Sequence, residues 1–300
     1  MALSDQVIAV GKMQRYIDVH CGDEITLDDL GRVAGYSKYH AARIFKEQTG
    51  RTPFQTIRAL RLTRAAQVLQ HSGRTVIDTA LDHGFETHDG FTRAFARQFH
   101  ITPREYSQET PPVHWFINYP IESYYLMKEG VRPMSPAPLT RTMTVTAVER
   151  PARKLILLRS TTATDYLSYC EEMGCDWEGL LTSIPEKFDA AALLTLPPEL
   201  VEPGTGNTAS GVEVPLDYSK EIPPGYDLIE LPPCLMLYFQ GAPFEDDNDF
   251  GEAITTLCQI MDEYDPTQYS WQYAPELAPA FNFGASATMG AKMARPAQKL

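Results

Sequence analysis

The chain carries TLDDLGRVAGYSKYHAARIFKEQTGRTP at residues 26–53 and a related stretch, TVIDTALDHGFETHDGFTRAFARQFHITP, at residues 75–103. The two copies align at an offset of 49 up to a central glycine, Gly35 or Gly84, and at an offset of 50 after it. A repeat of this period is typical of one supersecondary unit that occurs more than once. The first third of the chain is therefore predicted to hold two similar folded units.

Each copy has the signals of two helices joined by a short turn. Thr26 and Thr75 each begin a Thr-x-x-Asp capping signal, in which the side chains satisfy the open N–H groups at a helix start. The central glycine that follows can adopt the positive φ that ends a helix, and Ser37 or Thr87 can then cap a second helix. This order predicts a helix-turn-helix in each copy.

The second helix of each copy combines a buried stripe with an exposed polar face. Ile44 and Phe45 on one helix, and Phe91, Phe95 and Phe99 on the other, recur at helical spacing and are predicted to be core. Arginine pairs bidentately with guanine, and tyrosine or a small side chain contacts thymine methyl groups, although any amphipathic helix carries arginine on its wet face. The exposed residues predicted to bind DNA are Tyr39, Ala42, Arg43, Lys46, His88, Asp89, Thr92, Arg93 and Arg97.

A long helix is predicted between the two copies, over PFQTIRALRLTRAAQVLQ at residues 53–70. The apolar side chains expected to pack between the two units are Ile57, Leu60, Ala65, Val68 and Leu69. Arg58, Arg61 and Arg64 lie three residues apart. They either face DNA phosphates, which position a protein without reading sequence, or form a solvated surface.

Residues 35–69 and 77–107 together resemble the DNA-binding domain of the AraC/XylS family of transcription regulators, with the resemblance covering residues 8–108. It implies an all-α double helix-turn-helix domain whose two recognition helices enter successive major grooves of double-stranded DNA, about 34 Å apart. Two residues depart from a simple base-reading surface. Ala42 cannot hydrogen-bond a base, and Asp89 would repel phosphate but can accept from a cytosine amino group.

The charge and the proline content change along the chain. The protein has 300 residues and a net charge of −13, which taken alone speaks against a generically basic nucleic-acid binder. Residues 1–112 hold 14 Lys and Arg against 13 Asp and Glu, whereas residues 113–300 hold 12 against 26, with nineteen of the 23 prolines. The sequence therefore predicts a multidomain protein: a DNA-binding domain at 1–112, a linker at 113–141 with a Pro-rich connector at 131–142, and a second domain at 142–300.

Strands and helices alternate in the predicted second domain. Strands are expected at 142–149, 154–160, 191–196, 211–218 and 226–241 and in FNFGAS and ATMGAKMARP, with helices at 166–184 and 249–261. One helix in each half of this pattern predicts an α+β domain of two similar halves. With GVEV, LPPC and PAFNFG, the order resembles the GyrI-like effector-binding domains found beside AraC-type DNA-binding domains.

The GyrI-like resemblance implies a cleft between the halves that binds a small hydrophobic, often cationic, effector. Aromatic faces attract cations. The rings expected near the cleft are Tyr166, Trp177, Tyr238, Trp271 and Tyr273. Many such domains carry a glutamate in a strand before the last, but here Asn282 stands at the matching position and Glu276 lies six residues earlier. Both are candidate ligand-binding residues, and Asn282 favours a neutral or polar ligand over a cation.

The favoured prediction is a ligand-responsive transcription regulator that is not an enzyme. A Ser-His-Asp or Cys-His catalyst in the second domain is excluded because no histidine follows His114. Since some GyrI-like domains resemble hydrolases, carboxylate chemistry through Glu213 or Glu276 stays an alternative. A module that only sequesters a toxic compound is a third hypothesis, and the unbroken repeat argues against it.

No pattern in the sequence indicates a cofactor or a metal site. The five cysteines form no C-x-x-C pair, and the acidic stretch at 245–249 lies at a predicted helix start, where the helix dipole favours carboxylates. No run approaches the roughly 18 apolar residues of a membrane span, and no signal peptide is recognised, so a cytoplasmic protein without membrane contact is expected. RNA polymerase is a candidate partner, and a monomer or homodimer is expected.

Overall fold

The computed structural model describes residues 3–71, 73–128 and 140–300. The chain divides into a helical unit, Met1–Glu129, and a second unit, Gly130–Leu300, which is built on a β-sheet. Most of the connector expected at 131–142 lies outside the described residues.

Two hydrophobic cores organise the helical unit. Its helices are α1 (Asp5–His20), α2 (Leu27–Ala34), α3 (Lys38–Thr49), α4 (Pro53–His71), α5 (Val76–Asp82), α6 (His88–Phe99), α7 (Pro103–Glu109) and α8 (Ile121–Lys128). The first core joins α1, α2, α3 and the start of α4, and the second joins the rest of α4 with α5, α6 and α7. Each core therefore holds one of the two predicted helix-turn-helix units, α2–α3 and α5–α6.

Local capping explains where these helices begin and end. Thr26 and Asp29 form a reciprocal capping box at the start of α2, and Thr75 caps α5 in the second copy. Gly35 ends α2 with φ at 72°, a left-handed conformation that glycine adopts without a steric penalty. Ser37 stands at the N-cap of α3 as predicted, but its side chain makes no capping hydrogen bond.

Helix α4 contributes to both cores, as predicted. Ile57 and Leu60 are buried in the first core, and Ala65 and Leu69 in the second. Val68 is only half-buried. One continuous helix thus supplies side chains to both cores and connects the two helix-turn-helix units.

Two of the three α4 arginines bond to the backbone of the unit. Arg61 Nε donates to the carbonyl of Cys21 at 2.8 Å, and Arg64 Nη2 donates to the carbonyl of Asp18 at 2.7 Å. These bonds hold the end of α1 against α4 and leave both guanidinium groups partly buried. Arg58 is exposed and has no recorded ion-pair partner among the described residues, so it is the α4 arginine best placed for a phosphate.

Residues 113–128 belong to the helical unit, and their prediction as part of a linker is wrong. Val113 and Trp115 are buried in the second core, and Ile121 is buried in the first. The segment, called the strap below, thus runs from one core to the other. A domain ending at residue 112 would leave this core space unfilled.

A polar network holds the strap against α1. The amide of Gln14 donates to Asn118 Oδ1 at 3.1 Å, and Arg15 forms an ion pair with the buried carboxylate of Glu122. Gly11 permits this approach, because a Cβ at that position would lie 2.4 Å from Glu122 Cδ. The strap is therefore fixed by polar groups as well as by burial.

The second unit contains one antiparallel sheet. Its strands are β1 (Met143–Arg150), β2 (Arg153–Arg159), β3 (Ala192–Thr195), β4 (Thr208–Pro215), β5 (Asp227–Leu231), β6 (Cys234–Gly241), β7 (Trp271–Tyr273), β8 (Ala280–Ser286) and β9 (Gly290–Lys299). The strand order is β1-β6-β9-β8-β3-β4-β2-β5, with β7 paired to the end of β9. Its helices are α9 (Tyr166–Met173), α10 (Asp176–Thr182) and α11 (Phe250–Glu263).

Three details of this unit differ from the predicted elements. The helix expected at 166–184 is two helices, α9 and α10, because Gly174 adopts φ of 79° between them. The strand material at 226–241 is divided into β5 and β6 at Pro232 and Pro233, since proline lacks the N–H that a strand ladder needs. The three-residue strand β7 was not predicted and is too short for an alternating pattern to be recognised.

The two faces of the sheet are covered differently. Side chains of a strand alternate between faces: Ile156 packs with α9 and α10, and Phe239 packs with α11. On the opposite face, Leu155, Met236 and Phe281 belong to a cluster whose described members come from strands, loops and one short 3-10 turn, and none comes from an α-helix. This second side is called the helix-free face below.

Candidate nucleic-acid interface

One side of helix α3 is polar and exposed, and the other side is buried. Ala41, Ile44 and Phe45 are fully buried in the first core and fix the rotation of the helix. The predicted DNA-contacting residues on α3 then project outward, with Tyr39, Arg43 and Lys46 exposed and Ala42 half-buried. The spacing of these residues places them on one side of the helix.

The guanidinium of Arg43 is held by its own helix. Its Nη1 donates to Glu47 Oε1 at 3.0 Å, and its Nη2 lies 3.0 Å from His40 Nδ1. Arg43 and Glu47 form an exposed ion pair at the i, i+4 spacing, which is worth only about 0.3–0.5 kcal/mol. These partners orient the guanidinium, but a bidentate base contact would have to displace at least one of them.

Helix α6, like α3, has one buried apolar side and one exposed polar side. Phe91, Phe95 and Phe99 are buried in the second core, as predicted. Thr87 caps the helix by accepting a bond from the backbone N–H of Gly90 at 3.1 Å. The exposed predicted residues are His88, Asp89, Arg93 and Arg97.

Thr92 contributes differently from the sequence expectation. Its side chain is half-buried, and its hydroxyl oxygen is buried with no hydrogen-bond partner among the described residues. The hydroxyl is therefore not presented to solvent in this rotamer. His88 Nδ1 lies 3.6 Å from Asp89 Oδ1, so the acidic group at the start of α6 has a cationic neighbour when the imidazole is protonated.

Arg93 is the counterpart of Arg43 in the second copy. Unlike Arg43, it is exposed and has no recorded hydrogen-bond or ion-pair partner within the described residues. Arg97 and Lys46 are likewise exposed, with no recorded hydrogen-bond or ion-pair partner within the described residues. The two faces thus offer cationic donors at equivalent helix positions, with one arginine restrained and the other free.

A cleft of about 450 Å³ lies beside the second helix-turn-helix. Its walls come from α4, from the turn before α6 and from the first residues of α6, and they include Arg58, Phe85 and Thr87. The free guanidinium of Arg58 and the positive end of the α6 dipole both favour an anion here. Glu86 also lines the cleft and opposes that preference.

The aromatic residues predicted to line one effector cleft do not lie together, and that expectation is wrong. Tyr166 and Trp177 pack in the core under α9 and α10, and Trp271 and Tyr273 pack in the core under α11. Tyr238 lies on the helix-free face. Four of the five rings thus lie on the helix-covered side of the sheet, in two separate clusters, and Tyr238 lies on the other side.

The two polar candidates of the second unit also lie apart from Tyr238. Glu276 is exposed in a short 3-10 turn, Pro275–Leu277. Asn282 lies in β8, where its side-chain oxygen accepts from the backbone N–H of Gly284 at 2.9 Å. That bond supports the bend in β8 near its irregular pairing with β9, which gives Asn282 a local structural role.

The helix-free face carries a charged cluster that no sequence pattern marks. Arg153, which is fully buried, donates through Nε to Glu213 Oε1 at 2.5 Å. Burial raises the pKa of Glu213, and the neighbouring Arg153 opposes that rise. Arg150 bonds to Asp189 at 2.7 Å. These residues are up to 63 positions apart in the chain, so only the sheet brings them together.

The described residues provide two further observations on site chemistry. Within residues 3–71, 73–128 and 140–300, no helix is long and apolar enough to cross a membrane. Over the same ranges, no group of three or more His, Cys, Asp or Glu is arranged to hold a metal ion.

Comparison with known proteins identifies the helix-turn-helix region. Residues 30–109 match the family model of a helix-turn-helix domain. The chain is 36% identical over 106 residues to the transcriptional regulator Rob of Salmonella typhimurium, which covers 35% of this chain and 37% of Rob. It is 36% identical over 96 residues to the probable transcription factor PqrA of Proteus vulgaris, which covers 31% of this chain and 79% of PqrA.

The similarity covers about a third of this chain and very different shares of the matched proteins. A crystal structure of a probable AraC family transcriptional regulator from Rhodopseudomonas palustris is 27% identical, and the match covers 34% of this chain and 95% of that one at a TM-score of 0.33. The chain spans 37% of the length of Rob, but more than three quarters of PqrA. Through its helix-turn-helix region, the chain belongs to the AraC family of DNA-binding transcription regulators.

Proposed function

We propose that the chain is a ligand-responsive transcription regulator. The helical unit binds a specific duplex, and the second unit binds a small-molecule effector that changes the affinity for that duplex. The observation that carries DNA binding is the duplicated exposed face, with Arg43 on α3 and Arg93 on α6 at equivalent positions of two capped helix-turn-helix units. Two such helices suit two successive major-groove segments.

Selection from a random duplex library tests the DNA-binding half of this proposal. The full chain is expected to enrich one sequence with two conserved segments about 10 base pairs apart, which is one helical turn. Affinity for that duplex is expected to fall steeply with salt, because phosphate contacts release counterions. Failure to enrich any sequence over random DNA would contradict the proposal.

The second unit is proposed to be a GyrI-like domain of two similar halves. The strand order supports this, because β5-β2-β4-β3 on one side of the sheet repeats as β1-β6-β9-β8 on the other. In each half, a strand leads into helix and then into a hairpin: β2, α9–α10, β3, β4 in one and β6, α11, β8, β9 in the other. The edge strand of each half immediately precedes the other half in sequence, as expected for a duplicated unit with exchanged edges.

Effector control requires unequal binding to two states. A ligand changes DNA affinity only when it binds the DNA-competent and DNA-incompetent conformations with different affinities. The hydrolase alternative is disfavoured by Glu213, one of its two candidate carboxylates, because that group is buried and bonded to Arg153. Glu276, the other candidate, is exposed and has no recorded side-chain partner among the described residues.

A thermal-shift screen of the full chain against a compound library tests the effector half. A true effector is expected to raise the unfolding temperature and to change the affinity for the selected duplex by about 5-fold or more. A compound that raises the unfolding temperature without changing duplex affinity would contradict the coupling. Conversion of the bound compound to product would favour the hydrolase instead.

A further inference from the structure

An aromatic pair on the helix-free face is occupied by the protein's own cations. The rings of Tyr238 and Phe283 are nearly parallel, with centroids 6.2 Å apart. Lys292 Nζ lies 4.9 Å from the Tyr238 centroid and 4.5 Å from that of Phe283, within the range of cation–π attraction. The Arg150 guanidinium lies 5.5 Å from the Tyr238 centroid, and its Nη2 donates a hydrogen bond to the Tyr238 hydroxyl. A cationic ligand would therefore compete with two built-in cations for these rings.

The charges around this aromatic pair do not balance. Asp189 is shared by Lys292, whose Nζ lies 2.6 Å from Oδ1, and Arg150, whose Nη2 lies 2.7 Å from Oδ2. Beside them, Glu213 pairs with Arg153 and also lies 3.6 Å from Arg150 Nε. Three cationic side chains thus meet two carboxylates. The cluster has a net positive charge, which electrostatically favours an anion.

The side chains of the cluster differ in their exposure to solvent. The side chains of Arg153 and Glu213 are 0% and 3% exposed, so that pair is sealed in the core. Those of Lys292, Asp189 and Arg150 are 28%, 22% and 14% exposed. Lys292, Asp189 and Arg150 therefore keep part of their surface open to solvent, and Lys292 is the most exposed of the three cations.

We infer that this cluster is the effector site of the second unit and that it binds an organic anion, an acid group on an aromatic or apolar body, rather than a cation. The acid group bonds to Lys292 and Arg150 and takes over part of the role of Asp189. The apolar body lies against Phe283 and Tyr238. This inference rests on the proposed effector function, and it names the chemical class of the effector.

Two probes with the same apolar body and opposite charges test this assignment. Calorimetric titration of the full chain with 2-naphthoate and with trimethyl(2-naphthyl)ammonium compares the two charges directly. The naphthoate is expected to bind at least about 10-fold more tightly, since hydrogen bonds to charged groups have this magnitude. Equal binding, tighter binding of the ammonium, or no naphthoate binding would overturn the inference.

Matched variants of one strand locate the bound anion. Lys292→Met is expected to weaken naphthoate binding by about 10-fold, whereas Lys292→Arg keeps the charge and retains binding. Lys299→Met is the control, because Lys299 also lies in β9 but is 70% exposed and paired with Glu149. Unchanged naphthoate affinity in Lys292→Met, with an unfolding temperature like that of the control, would overturn the assignment.

The library screen separates this inference from the proposed function. If only uncharged or cationic compounds bind and change duplex affinity, the anion site is wrong while effector control stands. If no compound binds, effector control itself fails and the anion site fails with it.

Discussion

The unequal restraint of Arg43 and Arg93 predicts unequal losses of DNA affinity. A bidentate arginine–guanine contact contributes about 1–3 kcal/mol of discrimination. Arg93 has no recorded partner to give up among the described residues, so Arg93→Ala is expected to cost this full amount. Arg43 must first release Glu47, worth about 0.3–0.5 kcal/mol, so Arg43→Ala is expected to cost less by that difference.

Glu47→Ala is the variant that isolates this restraint. It frees the guanidinium of Arg43 and is expected to tighten binding of the selected duplex by about 0.3–0.5 kcal/mol, or about twofold. In the Arg43→Ala background the same substitution is expected to have a much smaller effect, because the coupled partner is absent. Fluorescence anisotropy at a fixed salt concentration measures all four proteins, and circular dichroism verifies their helix content.

Two results would refute this reasoning. If Glu47→Ala tightens binding equally with and without Arg43, the carboxylate acts on DNA phosphates and does not restrain the arginine. If Arg43→Ala costs more than Arg93→Ala, the intrahelical bonds of Arg43 assist base contact, as preorganisation would, and do not compete with it.

Three further predictions concern stability and thiol chemistry. Trp115→Ala is expected to destabilise the helical unit by about 3–5 kcal/mol, because Trp115 is only 6% exposed in the second core. Urea unfolding measures this change. A loss under about 0.5 kcal/mol would show that the strap does not contribute to the core and is a linker. The thiol of Cys175 bonds to Cys170 and lowers the pKa of Cys170 to about 7. Iodoacetamide labelling of Cys170, followed by mass spectrometry, should be half-maximal near that pH and shift upward in Cys175→Ala; an unshifted profile would contradict the contact. Backbone N–H groups of Thr161 and Thr162 hold the pKa of Glu172 at about 2, below the ordinary 4.5, so the stability it provides is present above pH 4.5 and is lost as pH falls toward 2. Glu172→Gln should therefore lower the unfolding temperature at pH 7 and have a diminishing effect below pH 4.5; a constant difference across that range would exclude this linkage.

Most of the helical unit could be predicted because its signals are local. Thr26 and Gly35 act within a few residues of themselves, at the start and end of α2. The buried faces of α3 and α6 follow from spacing along a single helix, as Ile44 and Phe95 illustrate. The repeat supplied each signal twice, and both recognition helices could be located from it.

The strap could not be predicted, since its partners are distant in the chain. Trp115 packs in the second core, and Glu122 pairs with Arg15, 107 residues earlier. Nothing near residue 115 distinguishes a tryptophan in a loop from one that completes a core. The absence of a side chain at Gly11, which makes room for Glu122, likewise has no local sequence signal.

The candidate effector site in the structure differs most from the one predicted from the sequence, and the sheet is the reason. The aromatic content of the second unit was evident from composition, but strand register decided which rings share a face. Tyr238 meets Phe283 and Lys292 because β6 and β8 both pair with β9.

The capped repeat was sufficient to identify a double helix-turn-helix, because helix capping and helical periodicity act over a few residues. Which cations remain free, and which rings and carboxylates surround Lys292, depends on long-range pairing, and only the folded chain sets those distances.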